Sequence, residues 1–109
     1  MVAIREYIDS AGRSSFGRWF AGLDVQAAAK VTIALERIAA GHTAAMKSVG
    51  LGVSEYRIDF GPGYRIYFGR HGDELLILLG GGSKKRQQAD IEAAQAARKD
   101  YKARRRTES

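Results

Sequence analysis

The sequence contains no cysteine, so disulfide bonds and thiolate metal sites are excluded. It also has no run of about eighteen apolar residues, the length that a helix needs to cross a bilayer. Arg5, Glu6 and Asp9 interrupt the apolar stretch that a signal peptide would require near the N-terminus. These absences predict a protein without a membrane segment, and a cytoplasmic location is the simplest interpretation.

Acidic residues are also scarce relative to basic ones. The chain has 18 Lys and Arg against 12 Asp and Glu, a net charge of +6. Residues 84–109 hold nine of these cations against four acids, whereas residues 1–83 are nearly balanced at nine against eight. A basic excess confined to one segment favours an anionic partner. A solvated terminal segment is the alternative, and residues 104–109 are predicted to form a loose basic tail.

The length of 109 residues and a hydrophobic content of 45% predict a single globular domain, residues 1–103. Val2–Ile8 has the alternation of a first β-strand. A short helix follows, in which one apolar face would contain Phe16, Trp19, Phe20 and Leu23. A second helix is predicted from about Val25 to Ala39, capped by Asp24, and the two helices would form a hairpin on one face of a sheet. Met46–Val49 is either a short strand or the edge of a loop.

Three successive strands are predicted within Gly52–Lys85. Val53–Phe60 and Tyr64–Phe68 alternate with period two, and a tight Gly-Pro-Gly turn joins them. The alternation places Arg57 and Arg65 on one face together with Tyr67, and we predict that this face is open. Arg57 has potential acidic partners on neighbouring strands, whereas Arg65 has no obvious one.

The third strand, Leu75–Leu79, is uninterruptedly apolar, which predicts a central strand covered on both faces. Gly80–Gly82 follows it and matches no nucleotide-binding fingerprint, so these glycines are expected to let the chain leave the sheet. Lys84, Lys85 and Arg86 come next, just before the predicted last helix. The N-terminus of a helix carries a partial positive charge, so cations are unfavourable there, and their presence indicates an external anion. The last helix is predicted from about Gln87 to Arg104.

The chain closely resembles the RelE/ParE toxin superfamily in two runs, EYRIDFGPGYRIYF at Glu55–Phe68 and LLGGGSK at Leu78–Lys84. Within the superfamily it is similar to the HigB-like "addiction module killer protein" branch. The resemblance implies an α+β fold with the element order β-α-α-β-β-β-α. In that fold a twisted antiparallel sheet carries a two-helix hairpin on one face and is followed by a C-terminal helix.

The resemblance also implies a function, the toxin of a type II toxin–antitoxin system. Such toxins cleave mRNA in the ribosomal A site without a metal or any other cofactor, by attack of a 2′-hydroxyl on the adjacent phosphate. The implied partners are a cognate antitoxin, expected to be a helix-turn-helix HigA-like protein, mRNA on the ribosome, and operator DNA through the antitoxin complex. The expected enzyme is therefore a metal-independent endoribonuclease.

Family positions that bind and neutralise phosphate correspond to Arg57, Arg65 and Lys84. Guanidinium groups bind phosphate through paired hydrogen bonds, and lysine acts as a point charge. Tyr67 is the tyrosine predicted on the same face and is the candidate for proton transfer. Further contacts to RNA phosphates are predicted for Lys47, Lys85 and Arg86.

Two positions depart from the RelE pattern. RelE has a second lysine where this chain has Asp59, and it has a catalytic tyrosine at a position that falls near Asp90. These departures keep two other functions open. One is a ParE-like gyrase-inhibiting binding protein without catalysis, and the other is a degenerate toxin that binds only its antitoxin and DNA.

Overall fold

The computed structural model describes residues 2–108, and the side chains of residues 2–105. Its elements are β1 (Ala3–Glu6), α1 (Ser15–Ala21), α2 (Val25–Ala39), β2 (Met46–Ser48), β3 (Val53–Ile58), β4 (Tyr64–His71), β5 (Leu75–Ser83), a 3-10 turn (Lys84–Arg86) and α3 (Gln87–Glu108). The strands form a five-stranded sheet in the order β1-β5-β4-β3-β2. The predicted α+β class and element order are confirmed, and the ambiguous segment before β3 is a strand.

The two helices of the hairpin begin at side-chain caps. The Ser14 hydroxyl accepts a hydrogen bond from the Gly17 N–H at 2.9 Å, and the Asp24 carboxylate accepts one from the Ala27 N–H at 2.8 Å. Each cap satisfies an N–H group that has no partner in the first helical turn. The helix predicted at Val25–Ala39 has those bounds in the structure.

The sheet is mixed rather than wholly antiparallel. Strands β2 to β5 form an antiparallel meander, whereas β1 pairs with β5 in parallel, with Ala3 opposite Leu75. The α1–α2 hairpin carries the chain from β1 to the far edge of the sheet at β2. Three reversals then bring β5 back beside β1 in the same direction.

Both faces of the sheet are covered. On one face α1 and α2 pack over a core that contains Phe16, Val31, Ala34, Ile38, Tyr56, Ile66, Phe68, Leu76 and Leu78. On the other face α3 packs over Tyr7, Val53, Tyr67, Ile77, Leu79 and Ala94. The prediction that β5 is covered on both sides is confirmed. The interpretation of the second face as open is wrong, because α3 lies across it.

The three glycines lie inside β5 instead of marking its exit from the sheet. A bulge shifts the register so that Tyr67 pairs with Gly80 while Phe68 pairs with Leu78. Beyond the bulge, a Cβ atom at Gly81 would collide with the Trp19 ring, and one at Gly82 would collide with the Asp90 carboxylate. The glycines are therefore needed because α1 and α3 approach the strand closely from opposite faces.

Helix α3 is fastened to the N-terminal strand. The Tyr7 hydroxyl donates a hydrogen bond to Asp100, and the Arg104 guanidinium donates one to the Ile8 carbonyl at 2.5 Å. The predicted loose tail begins at this arginine, but the helix continues through Glu108, and Ser109 lies outside the described residues. No helix within residues 2–108 is both long and apolar enough to cross a membrane.

Candidate functional site

The ends of three strands meet at one corner of the sheet, beside the Gly61–Gly63 turn. Arg57 lies opposite Arg65 in the β3–β4 register, and Arg65 lies opposite Gly82 in the β4–β5 register. The Gly63 carbonyl accepts a hydrogen bond from the Lys84 backbone N–H at 2.9 Å and lies 3.5 Å from Arg65 Nη1. Arg57, Arg65 and Lys84 are therefore neighbours, and we call this region the basic corner.

Arg65 is a buried cation with a buried acidic partner. Its exposed fraction is 3%, and that of Glu55 is 2%. Arg65 Nε lies 3.7 Å from Glu55 Oε2, and the same oxygen accepts a hydrogen bond of 2.8 Å from the Gln87 side chain at the start of α3. Arg65 was expected to have no acidic partner, and this expectation is wrong because Glu55 reaches it diagonally across the two strands.

Tyr67 lies directly opposite Glu55 and is completely buried beneath α3. Burial raises the pKa of its hydroxyl above the usual range, and the nearby carboxylates of Glu55 and Asp90 add to this effect. The hydroxyl has no hydrogen-bond partner among residues 2–108. In this conformation the phenol is therefore neutral at physiological pH and does not meet solvent.

The other predicted phosphate contacts are exposed side chains, but the structure does not bring all of them to the corner. Arg57, Lys84, Lys85 and Arg86 are exposed at or next to it. Lys47 is on β2, opposite Glu55, and is separated from β4 by the whole of β3. Arg57 additionally lines a cavity of about 260 Å³ between α2 and β3.

A groove of about 430 Å³ opens beside the basic corner, and we call it the glycine groove. Its lining residues are Trp19, Pro62, Tyr64, Gly81, Gly82, Ser83, Arg86 and Asp90. The Trp19 and Tyr64 rings meet edge to face with centroids 6.1 Å apart. Asp90 faces the floor of the groove, where burial raises the pKa of its carboxyl and Arg86 partly offsets the increase.

Three residues of the glycine groove were not predicted as functional: Trp19, Tyr64 and Asp90. Trp19 was assigned to the apolar face of the first helix and Tyr64 to an alternating strand, and both are half-buried in the structure. Two signals in the sequence could have indicated this groove. One is Asp90, an acidic residue near the position of the RelE tyrosine, and the other is the run Gly80–Gly82, since glycines in a strand mark the close approach of other groups.

A family model described as "Phage derived protein Gp49-like (DUF891)" matches residues 18–102, well over half of the chain. The protein therefore belongs to the Gp49-like family. This family is of the RelE/HigB toxin type, so the protein is of toxin–antitoxin class, and an antitoxin partner is implied.

A relative in Haemophilus influenzae, described as an uncharacterized protein, is 39% identical over 81 residues. The match covers 73% of this chain and 82% of the relative. It thus includes most of both proteins and adds no activity to what the family implies.

Proposed function

We propose that the protein is a HigB-like toxin that cleaves mRNA on the ribosome. The observation that carries the proposal is the convergence of Arg57, Arg65 and Lys84 at one corner, beside a groove that offers aromatic rings and a carboxyl group. Cleavage by a neighbouring 2′-hydroxyl needs the phosphate held in line, its developing charge neutralised and two protons moved.

The basic corner supplies the positive charge for this chemistry. Lys84 and Arg57 are exposed and would contact the phosphate oxygens directly. Arg65 lies behind them, oriented by Glu55 and by the Gly63 carbonyl. Because this guanidinium is fixed before substrate binds, it stabilises developing negative charge without reorganising during the reaction.

The aromatic side of the glycine groove suits a nucleobase. Trp19 and Tyr64 present ring surface next to Pro62, and bases of unpaired RNA stack on such surfaces. Stacking of the base next to the scissile bond would fix the sugar and so align its 2′-oxygen with the phosphorus.

Asp90 is the proposed proton acceptor in place of a tyrosine. A carboxyl with a raised pKa is a better base near neutral pH than an ordinary aspartate. The 2′-oxygen forms a bond to phosphorus and gives its proton to Asp90, the phosphorus–O5′ bond breaks, and the leaving O5′ takes a proton from the Lys84 ammonium. The products are a 2′,3′-cyclic phosphate and a 5′-hydroxyl.

The proposed partners follow from this activity. The protein would act in the cytoplasm on translated mRNA. It would be held inactive by a helix-turn-helix, HigA-like antitoxin, and the complex of the two would bind operator DNA. The single toxin domain is proposed to include residues 1–103, within which the family match lies.

The test is induced expression followed by mapping of mRNA ends. Lys84→Ala and Asp90→Asn should each abolish cuts within translated codons, whereas Arg18→Ala, on the exposed side of α1, should leave them unchanged. Arg65→Ala is a poor probe because it leaves Glu55 buried without its charge partner. Growth arrest with intact mRNA and trapped gyrase–DNA complexes would refute the proposal in favour of a ParE-like inhibitor, and absence of toxicity would indicate a degenerate toxin.

A further inference from the structure

A second set of cations lies along α3, away from the basic corner. Arg98, Lys102 and Arg105 are spaced by four and three residues and therefore occupy one stripe of the helix. They line two adjoining cavities of about 750 Å³ and 460 Å³, which share Arg98 and Lys102. The smaller cavity is completed by Arg70 and His71 at the end of β4, and we call it the basic trough.

The Arg98 side chain passes close to two glycines, Gly69 in β4 and Gly52 in the turn before β3. A Cβ atom at Gly69 would lie 2.8 Å from Arg98 Cδ, and one at Gly52 would lie 2.9 Å from Arg98 Cζ. The side chain therefore lies close against the backbone at these two positions, and a methyl group at either one would displace it. Arg98 as a whole residue is partly buried.

The charges of the trough are not balanced within the part of the chain that the structure describes. Neither Arg98 nor Lys102 has an ion pair or a side-chain hydrogen bond there, and no Asp or Glu lines the basic trough. Arg105 lies 3.3 Å from a ring nitrogen of His71 and has no ion pair among the described residues. A cavity lined by charges of one sign attracts counter-ions, so this arrangement is typical of a site for an external anion.

We infer that the basic trough is a second phosphate-binding site, which takes the sugar–phosphate backbone of an RNA. The stripe from Arg98 to Arg105 extends about 10 Å along the helix, which is longer than a single phosphate group. The trough lies about 17 Å along β4 from Arg65, at the other end of the strand. It is therefore a separate contact and not an extension of the basic corner.

The lining of the trough favours RNA over an acidic peptide. The trough contains no aliphatic side chain that would anchor a peptide, and its one aromatic residue, Tyr101, packs edge to face against His71. The choice of RNA rests on the proposed function, in which the partner is mRNA on a ribosome.

The test measures binding of the whole protein to a fluorescent 2′-O-methyl oligoribonucleotide, which cannot be cut because it has no free 2′-hydroxyl. Arg98→Ala should weaken binding about tenfold and lower the salt dependence by about 0.7 in log–log slope. Gly69→Ala keeps every charge but displaces Arg98, and it should also weaken binding. Arg18→Ala removes one positive charge on the opposite face of the sheet and should change the affinity by less than about twofold. Thermal unfolding of each variant establishes that it is folded.

Equal RNA affinities for Arg98→Ala and Arg18→Ala would overturn the inference. So would an Arg98→Ala variant that binds RNA normally and loses affinity only for the antitoxin, since the occupant would then be an acidic protein segment. Loss of RNA binding in Arg98→Ala, in a protein that cuts no mRNA in cells, would sustain the second site and refute the proposed nuclease. If mRNA is cut in a way that depends on Lys84 while Arg98→Ala binds RNA normally, the proposed nuclease is supported and the second site is refuted.

Discussion

Replacing Arg65 by methionine is expected to destabilise the fold strongly. Arg65 and Glu55 are 3% and 2% exposed, so removal of the guanidinium leaves a buried carboxylate without its charge partner, although the Gln87 amide still donates a hydrogen bond to it. Breaking a buried pair in this way costs about 3–5 kcal/mol. Since small domains have a total stability of about 5–15 kcal/mol, the variant should lose a large part of its free energy of unfolding.

The reverse is expected when both partners are replaced. The ion pair spans 3.7 Å, and Arg65 Nε has no hydrogen bond among the described residues. Attraction at this geometry does not fully offset the removal of two charges from water. Glu55→Met combined with Arg65→Met should therefore lie within about 2 kcal/mol of the natural protein, even though each single change is far more damaging.

Urea unfolding followed by far-ultraviolet circular dichroism measures all four members of this cycle at neutral pH. Comparable urea dependence among the variants would show that each unfolds from the same compact state. A cost below about 1 kcal/mol for Arg65→Met would refute the reasoning, because the pair would then be hydrated like an exposed one. If the double variant is as stable as the natural protein, the Arg65–Glu55 pair is not needed for folding, and its presence is consistent with a role in the chemistry at the basic corner.

Three further changes test other parts of the structure. Gly81→Ala should lower the free energy of unfolding by about 1–3 kcal/mol, because the added methyl group would overlap the Trp19 ring. Combining it with Trp19→Leu should recover part of this loss in thermal unfolding. If the effects of the two substitutions simply add in the double variant, the packing of Gly81 against Trp19 is contradicted. Asp90→Asn should stabilise the protein at neutral pH. Burial raises the pKa of the Asp90 carboxyl in the folded protein above its ordinary value of 3.8, so the natural protein loses stability as the pH rises from the ordinary pKa through the raised one. A variant whose stability has the same pH dependence as that of the natural protein would exclude this cause. Tyr7→Phe should remove a loss of stability between pH 10 and about 12. Burial, together with the hydrogen bond to Asp100, raises the pKa of the Tyr7 hydroxyl to about 12, so the folded protein keeps this proton after the unfolded chain has released it. Identical alkaline unfolding curves for the two proteins would contradict this raised pKa.

Local rules were sufficient for much of the fold. The cap at Asp24 and the apolar stripe after it predicted α2 with its observed bounds, because both signals depend only on residues within the helix. Alternation in β3 and β4 correctly separated Tyr56 and Ile66, which face the hairpin, from Arg57 and Arg65 on the other side. Period two follows directly from strand geometry and needs no tertiary information.

The second face was predicted to be open at β3 and β4, although the apolar run of β5 predicted a cover on both sides of that strand. The charges of Glu55 and Arg57 made that face resemble a solvated one. The apolar stripe of α3 is thin, with Ile91 and Ala94 as its first members. A buried ion pair makes a covered face look polar in the sequence, and such pairs depend on contacts between strands that no local pattern reveals.

The candidate site was predicted in part for a related reason. The basic corner follows from the alternation and from the position of Lys84 just after β5. The glycine groove does not, because the bulge opposite Tyr67 and Phe68 changes which glycine faces which helix. Trp19 and Asp90, which approach Gly81 and Gly82 from opposite faces, are therefore adjacent only in the folded molecule.

The parallel pairing of β1 with β5 sets the order in which the chain can fold during its own synthesis. Strand β1 can complete its pairing only after β5 has been synthesised. The hydrogen bonds from Tyr7 to Asp100 and from Arg104 to Ile8 join residues that are 93 and 96 positions apart. Contacts of such long sequence separation form late, after the intervening chain has emerged from the ribosome. The candidate site is likewise assembled late, because Lys84 and Asp90 follow β5 in the chain and can join Arg57 and Trp19 only after that strand has been made.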